Sequence, residues 1–166
     1  MKKLYILIAL FLSISLHNVI AQTADSSTVN QAAVHNVIYF EVATFLIMGS
    51  VSLNYEHSIN ENYWLRIGYG GGYLIDFANK RDTWGRGPMI MAMYLMGDNN
   101  KLEFGLGGTF LYGKIHHFNA VDWWLFPAAS IGYRYQPSDG GVLFRVGLTY
   151  DYYMGAPVEL SIGYAF

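Results

Sequence analysis

The chain has no cysteine among its 166 residues. Disulfides, thiolate metal centres and anchoring through a lipid-modified cysteine are therefore excluded. Charge is scarce as well: Asp, Glu, Lys and Arg together make up 13% of the residues, about half the usual share in soluble proteins. The formal net charge of −2 supplies no basic patch, so a nucleic-acid partner is not expected. Beyond residue 21 there is no apolar run of the length a spanning helix needs, about 20 residues.

Aromatic residues and glycine are abundant. Phe, Trp and Tyr reach 17%, with 14 Tyr, and there are 18 Gly. Few charges, many aromatics and much glycine, without a long apolar run, describe a membrane barrel better than a soluble domain. A chain this short is expected to form one domain.

The start reads as a targeting segment. Met1-Lys2-Lys3 is basic, Leu4 to Leu16 is almost wholly apolar, and Val19-Ile20-Ala21 places short residues before Gln22. This is the layout of a secretory signal peptide over residues 1–21, cleaved near Ala21. Residues 22–36 are polar and small and read as a flexible periplasmic segment. The domain proper is expected over residues 37–166.

That stretch divides into eight strands separated by turn signals. They are expected near Val37–Ile47, Ser50–Ser58, Tyr63–Asp76, Pro88–Met96, Lys101–Gly113, Trp123–Gln136, Gly141–Tyr152 and Pro157–Phe166. Asn60-Glu61-Asn62, Gly97-Asp98-Asn99-Asn100 and Pro137-Ser138-Asp139-Gly140 are tight turns. Phe77–Gly87 and Lys114–Asp122 are longer connections. In an up-and-down order the tight turns all fall at one end and the long connections at the other. Gly70-Gly71-Gly72 suggests a bend or bulge within the third strand.

Alternation alone does not say which face points out, because a soluble lipocalin-like barrel alternates too. The less apolar faces decide. They read Trp64, Arg66, Gly68, Gly70, Gly72 on the third strand and Glu103, Gly105, Gly107, Thr109 on the fifth. These carry too few charges and too many glycines for a soluble exterior, and they suit a narrow interior. Tyr63, Tyr133, Tyr135, Tyr164 and Phe166 then gather at one rim. Tyr73, Tyr112, Trp123, Trp124, Tyr150, Tyr152 and Tyr153 gather at the other, as two interfacial girdles would. The fourth strand, M-I-M-A-M-Y-L-M after Pro88, has no polar face and its orientation stays open.

The last ten residues, P-V-E-L-S-I-G-Y-A-F, alternate strictly and end on Phe166. With the eight-strand plan, this ending resembles the small eight-stranded bacterial outer-membrane β-barrels of the OmpA-transmembrane-domain and OmpX type. The resemblance covers Val37 to Phe166. It implies an all-β, antiparallel up-and-down transmembrane barrel in the outer membrane, with Tyr164 and Phe166 as an assembly signal. The implied partners are outer-membrane lipid, lipopolysaccharide and the assembly machinery. Eight strands enclose an interior that side chains just fill, which argues against an open pore.

Seven charged residues share the inward register: Glu41, Glu56, Arg66, Glu103, Arg134, Arg145 and Glu159. Glu56 and Arg66 flank the Asn60–Asn62 turn and are expected to pair across it. Arg134 and Arg145 flank the Pro137–Gly140 turn and would repel unless Glu103 or Glu41 lies between them. No catalytic set, metal site or cofactor is expected. Tyr55-Glu56-His57-Ser58 is superficially similar to the His-x-Ser region of lipid A deacylases, which keeps a lipid A-modifying enzyme as the alternative. The match is poor: Ser58 adjoins His57, and neighbours on a strand point to opposite faces. His116-His117 with Asp122 specifies little as a metal site. Asn79-Lys80-Arg81-Asp82 with Arg86 makes a mildly basic loop suited to outer-leaflet phosphates.

Overall fold

A computed structural model describes residues 34–45, 48–76, 81–114, 121–151 and 156–166. Eight strands follow in chain order: β1 (Asn36–Phe45), β2 (Met48–Ser58), β3 (Tyr63–Asp76), β4 (Arg81–Met96), β5 (Asn100–Lys114), β6 (Val121–Tyr135), β7 (Gly141–Asp151) and β8 (Val158–Ala165). Each is antiparallel to its neighbours, and β8 pairs with β1, so the sheet closes into an up-and-down barrel without a free edge. Beyond β8, Phe166 N donates to Asn36 O at 2.8 Å and Asn36 N to Phe166 O at 2.9 Å.

The tight turns are built by the residues that announced them. Asn60 Oδ1 accepts from the backbone N–H groups of Asn62 and Tyr63 at 3.0 and 2.9 Å, closing the β2–β3 turn. Gly97 and Gly140 take φ of +119° and +87°, where a side chain is strained. These turns lie at one end of the barrel, together with Asn36 and Phe166, and that end is called the turn end below.

Alternation is read out directly as inside and outside. On β7, Leu143, Arg145, Gly147 and Thr149 are buried while Val142, Phe144, Val146 and Leu148 are exposed. The exposed face is thus the apolar one, the inverse of a soluble barrel.

The fourth strand is longer than its sequence suggests. It begins at Arg81, and Asp76 pairs with Arg81, so the Phe77–Gly87 loop is a correction: only residues 77–80 lie between β3 and β4. Pro88 and the flanking Gly85 and Gly87 imitate a loop, but each has a place in the wall. Gly87 sits where a Cβ would strike the backbone of Phe110 and Leu111. Pro88 has no N–H to donate. The β4–β5 ladder is interrupted there and resumes in the same register, with Arg86 opposite Tyr112 and Met89 opposite Thr109.

The three glycines of β3 correct a second expectation. Gly70, Gly71 and Gly72 pair in unbroken register with Ser52, Val51 and Ser50, so there is no bulge. A Cβ on Gly70 or Gly72 would meet Ser52 Cβ at 2.6 Å or Ser50 Cβ at 2.7 Å. Close approach to β2 explains glycine at 70 and 72, and Gly71 lies as close to Arg86 Cβ and Gly85 O of β4, at 3.1 Å each.

Neighbours settle the orientation of β4. Met91, Met93 and Leu95 are buried, and Ile90, Tyr94 and Met96 are exposed. The methionines fill room left by β5: a Cβ on Gly105 would meet Met93 Sδ at 2.7 Å and Met91 Cε at 3.1 Å. Large side chains opposite glycines keep the interior filled. Towards the other end, Leu111 and Phe126 form a small apolar cluster with Trp124 packed on it. Trp124 therefore faces inward and is no part of a girdle.

Candidate functional site

The seven charged residues meet in one layer across the interior. All are buried, none more than 5% exposed. Glu56, on β2, is a hub. Its carboxylate accepts from Arg66 Nε at 2.9 Å, Arg134 Nη1 at 2.6 Å, Arg134 Nη2 at 2.9 Å and the Tyr39 hydroxyl at 2.7 Å. Glu56 and Arg66 are direct cross-strand partners on β2 and β3, which is why the short Asn60 turn places them together.

Glu103, on β5, is the second hub. It accepts from Arg134 Nε at 3.0 Å and from Arg145 Nε, with Arg66 Nη2 at 3.8 Å. It thereby separates Arg134 and Arg145, which are direct cross-strand partners on β6 and β7. Arg145 Nη1 reaches onward to Glu41 at 2.6 Å and Glu159 at 2.7 Å. Ser52 and Ser161 donate to Glu41 at 3.1 and 3.2 Å.

Tyr39 is the member that sequence reasoning passed over. Besides its bond to Glu56, its ring lies 5.4 Å from the Arg66 guanidinium and 6.0 Å from that of Arg134. Its parity on β1, shared with Glu41, was the available signal. A buried ion network is costly unless its members are paired. Here each carboxylate has at least one arginine within 3 Å. Trp64, Met91 and Leu143 are packed with Tyr39 in the same interior.

The outer wall carries the complementary pattern. Tyr63, Tyr94, Tyr133, Tyr135 and Tyr164 are exposed near the turn end, and Tyr73, Trp84, Trp123 and Tyr150 near the other. On β4, Trp84 and Tyr94 are ten residues apart, which in a strand tilted about 40° spans about 25 Å along the axis. Tyr152 and Tyr153 lie outside the described residues. Phe166 is partly exposed on the outward face beside β1.

Arg86 is corrected from a loop to the wall. It points outward on β4 beside Trp84, and Lys114 is the Cα partner of Trp84 on β5. Asn79, Lys80, His116 and His117 lie outside the described residues, as does the segment 1–33. His57 and Ser58 do not form a catalytic pair. His57 is outward and exposed, with Nδ1 2.9 Å from Asn36 Oδ1, and Ser58 Oγ donates to Asn60 O at 2.8 Å.

Solved structures share this architecture. The N-terminal barrel domain of Pseudomonas aeruginosa OprF matches with a TM-score of 0.59 and 12% identity, over 81% of this chain and 99% of that one. The Yersinia pestis outer membrane protein Ail in a phospholipid nanodisc matches with a TM-score of 0.56 and 13% identity, over 80% and 99%. The fold is that of the small eight-stranded outer-membrane barrels. No family model and no curated protein matches the chain.

Proposed function

We propose that this chain is an integral outer-membrane barrel without enzymatic activity. On this reading it is exported by the segment 1–21 and carries a closed interior. It acts through its exposed connections and through contact with outer-leaflet lipid. The observation that carries this is the inversion of faces: an apolar wall about 25 Å tall between two aromatic belts, which is the hydrocarbon thickness a barrel must match. The turn end is then periplasmic. Arg86 and Lys114, beside Trp84 and Tyr112, sit at the outer belt, where long basic side chains extend to lipid phosphates such as those of lipopolysaccharide.

A pore is disfavoured because the charged layer, Tyr39 and large apolar side chains occupy the interior of a barrel of only eight strands. A lipid A-modifying enzyme is disfavoured because His57 and Ser58 make separate contacts. The test is a comparison of lipid A mass spectra with and without the gene, expected to be identical. Loss or gain of an acyl chain that returns with the wild-type gene would overturn the non-enzymatic reading.

A further inference from the structure

Lysine and arginine are unevenly spread over the barrel. Arg66, Arg134 and Arg145 lie inside it. Lys101 points inward at the turn end, where Nζ donates to Gly97 O at 3.2 Å. Among the described side chains, the cations on the outward face are Arg86 on β4 and Lys114 on β5, both at the end opposite the turns. Arg86 is the Cα partner of Tyr112, and Lys114 is that of Trp84. The two cations are thus diagonal neighbours across one strand pair, about 7–8 Å apart at the backbone. Neither makes an ion pair or hydrogen bond among the described residues. Asp122, next to Trp123 in the chain, accepts from the Trp123 backbone N–H at 2.8 Å.

The same spot holds a row of rings. Tyr112 lies between Trp84 and Trp123, with ring centroids 6.4 and 5.4 Å away. Tyr112 and Trp123 are Cα partners on β5 and β6, so the row crosses three strands, and both tryptophans are exposed. Tyr150, an exposed ring of the same belt, touches no other ring among the described residues. Isolated rings suffice for a lipid–water boundary, so the boundary alone does not explain why this row and the two cations coincide. Adjacent like charges repel, and one anion between them offsets that. Guanidinium and ammonium groups both bind phosphate. The faces of aromatic rings carry partial negative charge, which suits the C–H face of a sugar.

We propose that Trp84, Tyr112 and Trp123, with Arg86 and Lys114, form one binding site for the phosphorylated sugar headgroup of an outer-leaflet glycolipid. This rests on the outer-membrane reading above and narrows its lipid contact to one place and one headgroup class. Arg86 and Lys114 hold the phosphate. The sugar lies against the row of rings, and the acyl chains run along the exposed apolar wall below it. A glycerophospholipid supplies the phosphate but no sugar for the rings. An unphosphorylated glycolipid supplies the sugar but leaves the two cations unmatched.

The test is native mass spectrometry of the detergent-purified barrel titrated with bisphosphorylated lipid A, dephosphorylated lipid A or phosphatidylglycerol. One bisphosphorylated lipid A is expected to bind at least tenfold more tightly than either of the others. Arg86→Gln with Lys114→Gln should reduce its affinity to that of the dephosphorylated form. Trp123→Leu should weaken lipid A several-fold and leave phosphatidylglycerol unchanged, while Tyr150→Leu, in the same belt, should change neither. These side chains are exposed, and heat-shifted migration on a gel confirms that each variant folds. The proposal is overturned if phosphatidylglycerol or dephosphorylated lipid A binds as well as the bisphosphorylated form, if the double variant keeps its affinity, or if Tyr150→Leu costs as much as Trp123→Leu. Any of these in a barrel that still fractionates with the outer membrane sinks the site alone, whereas a protein absent from that membrane sinks the reading beneath it.

Discussion

Breaking the Glu56 hub from either side should cost unequal amounts, and the inequality follows from the bond count. Arg66 makes one hydrogen bond to the network, from Nε to Glu56 at 2.9 Å, and its other nitrogens have no hydrogen-bond partner among the described residues. In Arg66→Met, Glu56 therefore keeps both bonds from Arg134 and the one from Tyr39. In Glu56→Gln, Arg66 loses its close counterion, and Glu103 at 3.8 Å becomes its nearest carboxylate. Arg134 loses its charge pair with Glu56 but keeps Glu103. Removing one member of a buried pair costs about 3–5 kcal/mol. Glu56→Gln should lie at the top of that range and Arg66→Met at or below its foot. The double variant leaves no unpaired Arg66, so it should cost about 1–3 kcal/mol less than the sum of the two. The assay is urea unfolding of the barrel in lipid vesicles, with slopes compared to confirm that midpoints report stability. Additive effects, or an Arg66→Met costlier than Glu56→Gln, would refute the argument.

Other outcomes follow from the same contacts. Gly105→Ala should destabilise by about 1–3 kcal/mol through overpacking. Met93→Ala together with Ser130→Ala should return part of that loss, because the added methyl meets Ser130 Oγ as well as the flexible end of Met93. Gly107→Ala should not be rescued by trimming Met91, because its Cβ would strike the backbone at Ile90 and Met91; both comparisons use unfolding midpoints. Deleting Phe166 should slow assembly into membranes more than shortening the 115–120 connection does. It removes the two backbone hydrogen bonds with Asn36 beside the β1–β8 seam, and unpaired edge groups are costly in lipid; pulse-chase of the heat-resistant form measures this. Arg86→Leu with Lys114→Leu should lower the lipopolysaccharide that copurifies, without shifting the unfolding midpoint by more than about 1 kcal/mol, since both side chains lie at the boundary.

Much of this fold is legible because a strand has a period of two. The seven charged positions could be placed on one face from parity alone, and the Glu56–Arg66 pairing follows from the turn between them. Parity fails where both faces are apolar. Met89 to Met96 gave no orientation until Gly105 and Gly107 of the adjacent strand supplied the room. Local composition also misleads where glycine serves close packing in place of a turn, as at Gly87 in β4 and at Gly70 to Gly72 in β3. What joins the charges beyond the nearest hairpin, such as Glu56 to Arg134, crosses the barrel interior. No local pattern encodes that separation, and only the closed geometry brings those residues together.

The central feature of this barrel is an exposed apolar wall around a closed, ion-filled interior. Membrane fractionation followed by gel electrophoresis with and without boiling tests it most directly. The protein should be recovered with the outer membrane, require detergent for extraction, and migrate at a different apparent mass unboiled, because a barrel without edges resists SDS. Recovery as a freely soluble monomer whose migration does not change on boiling would contradict it.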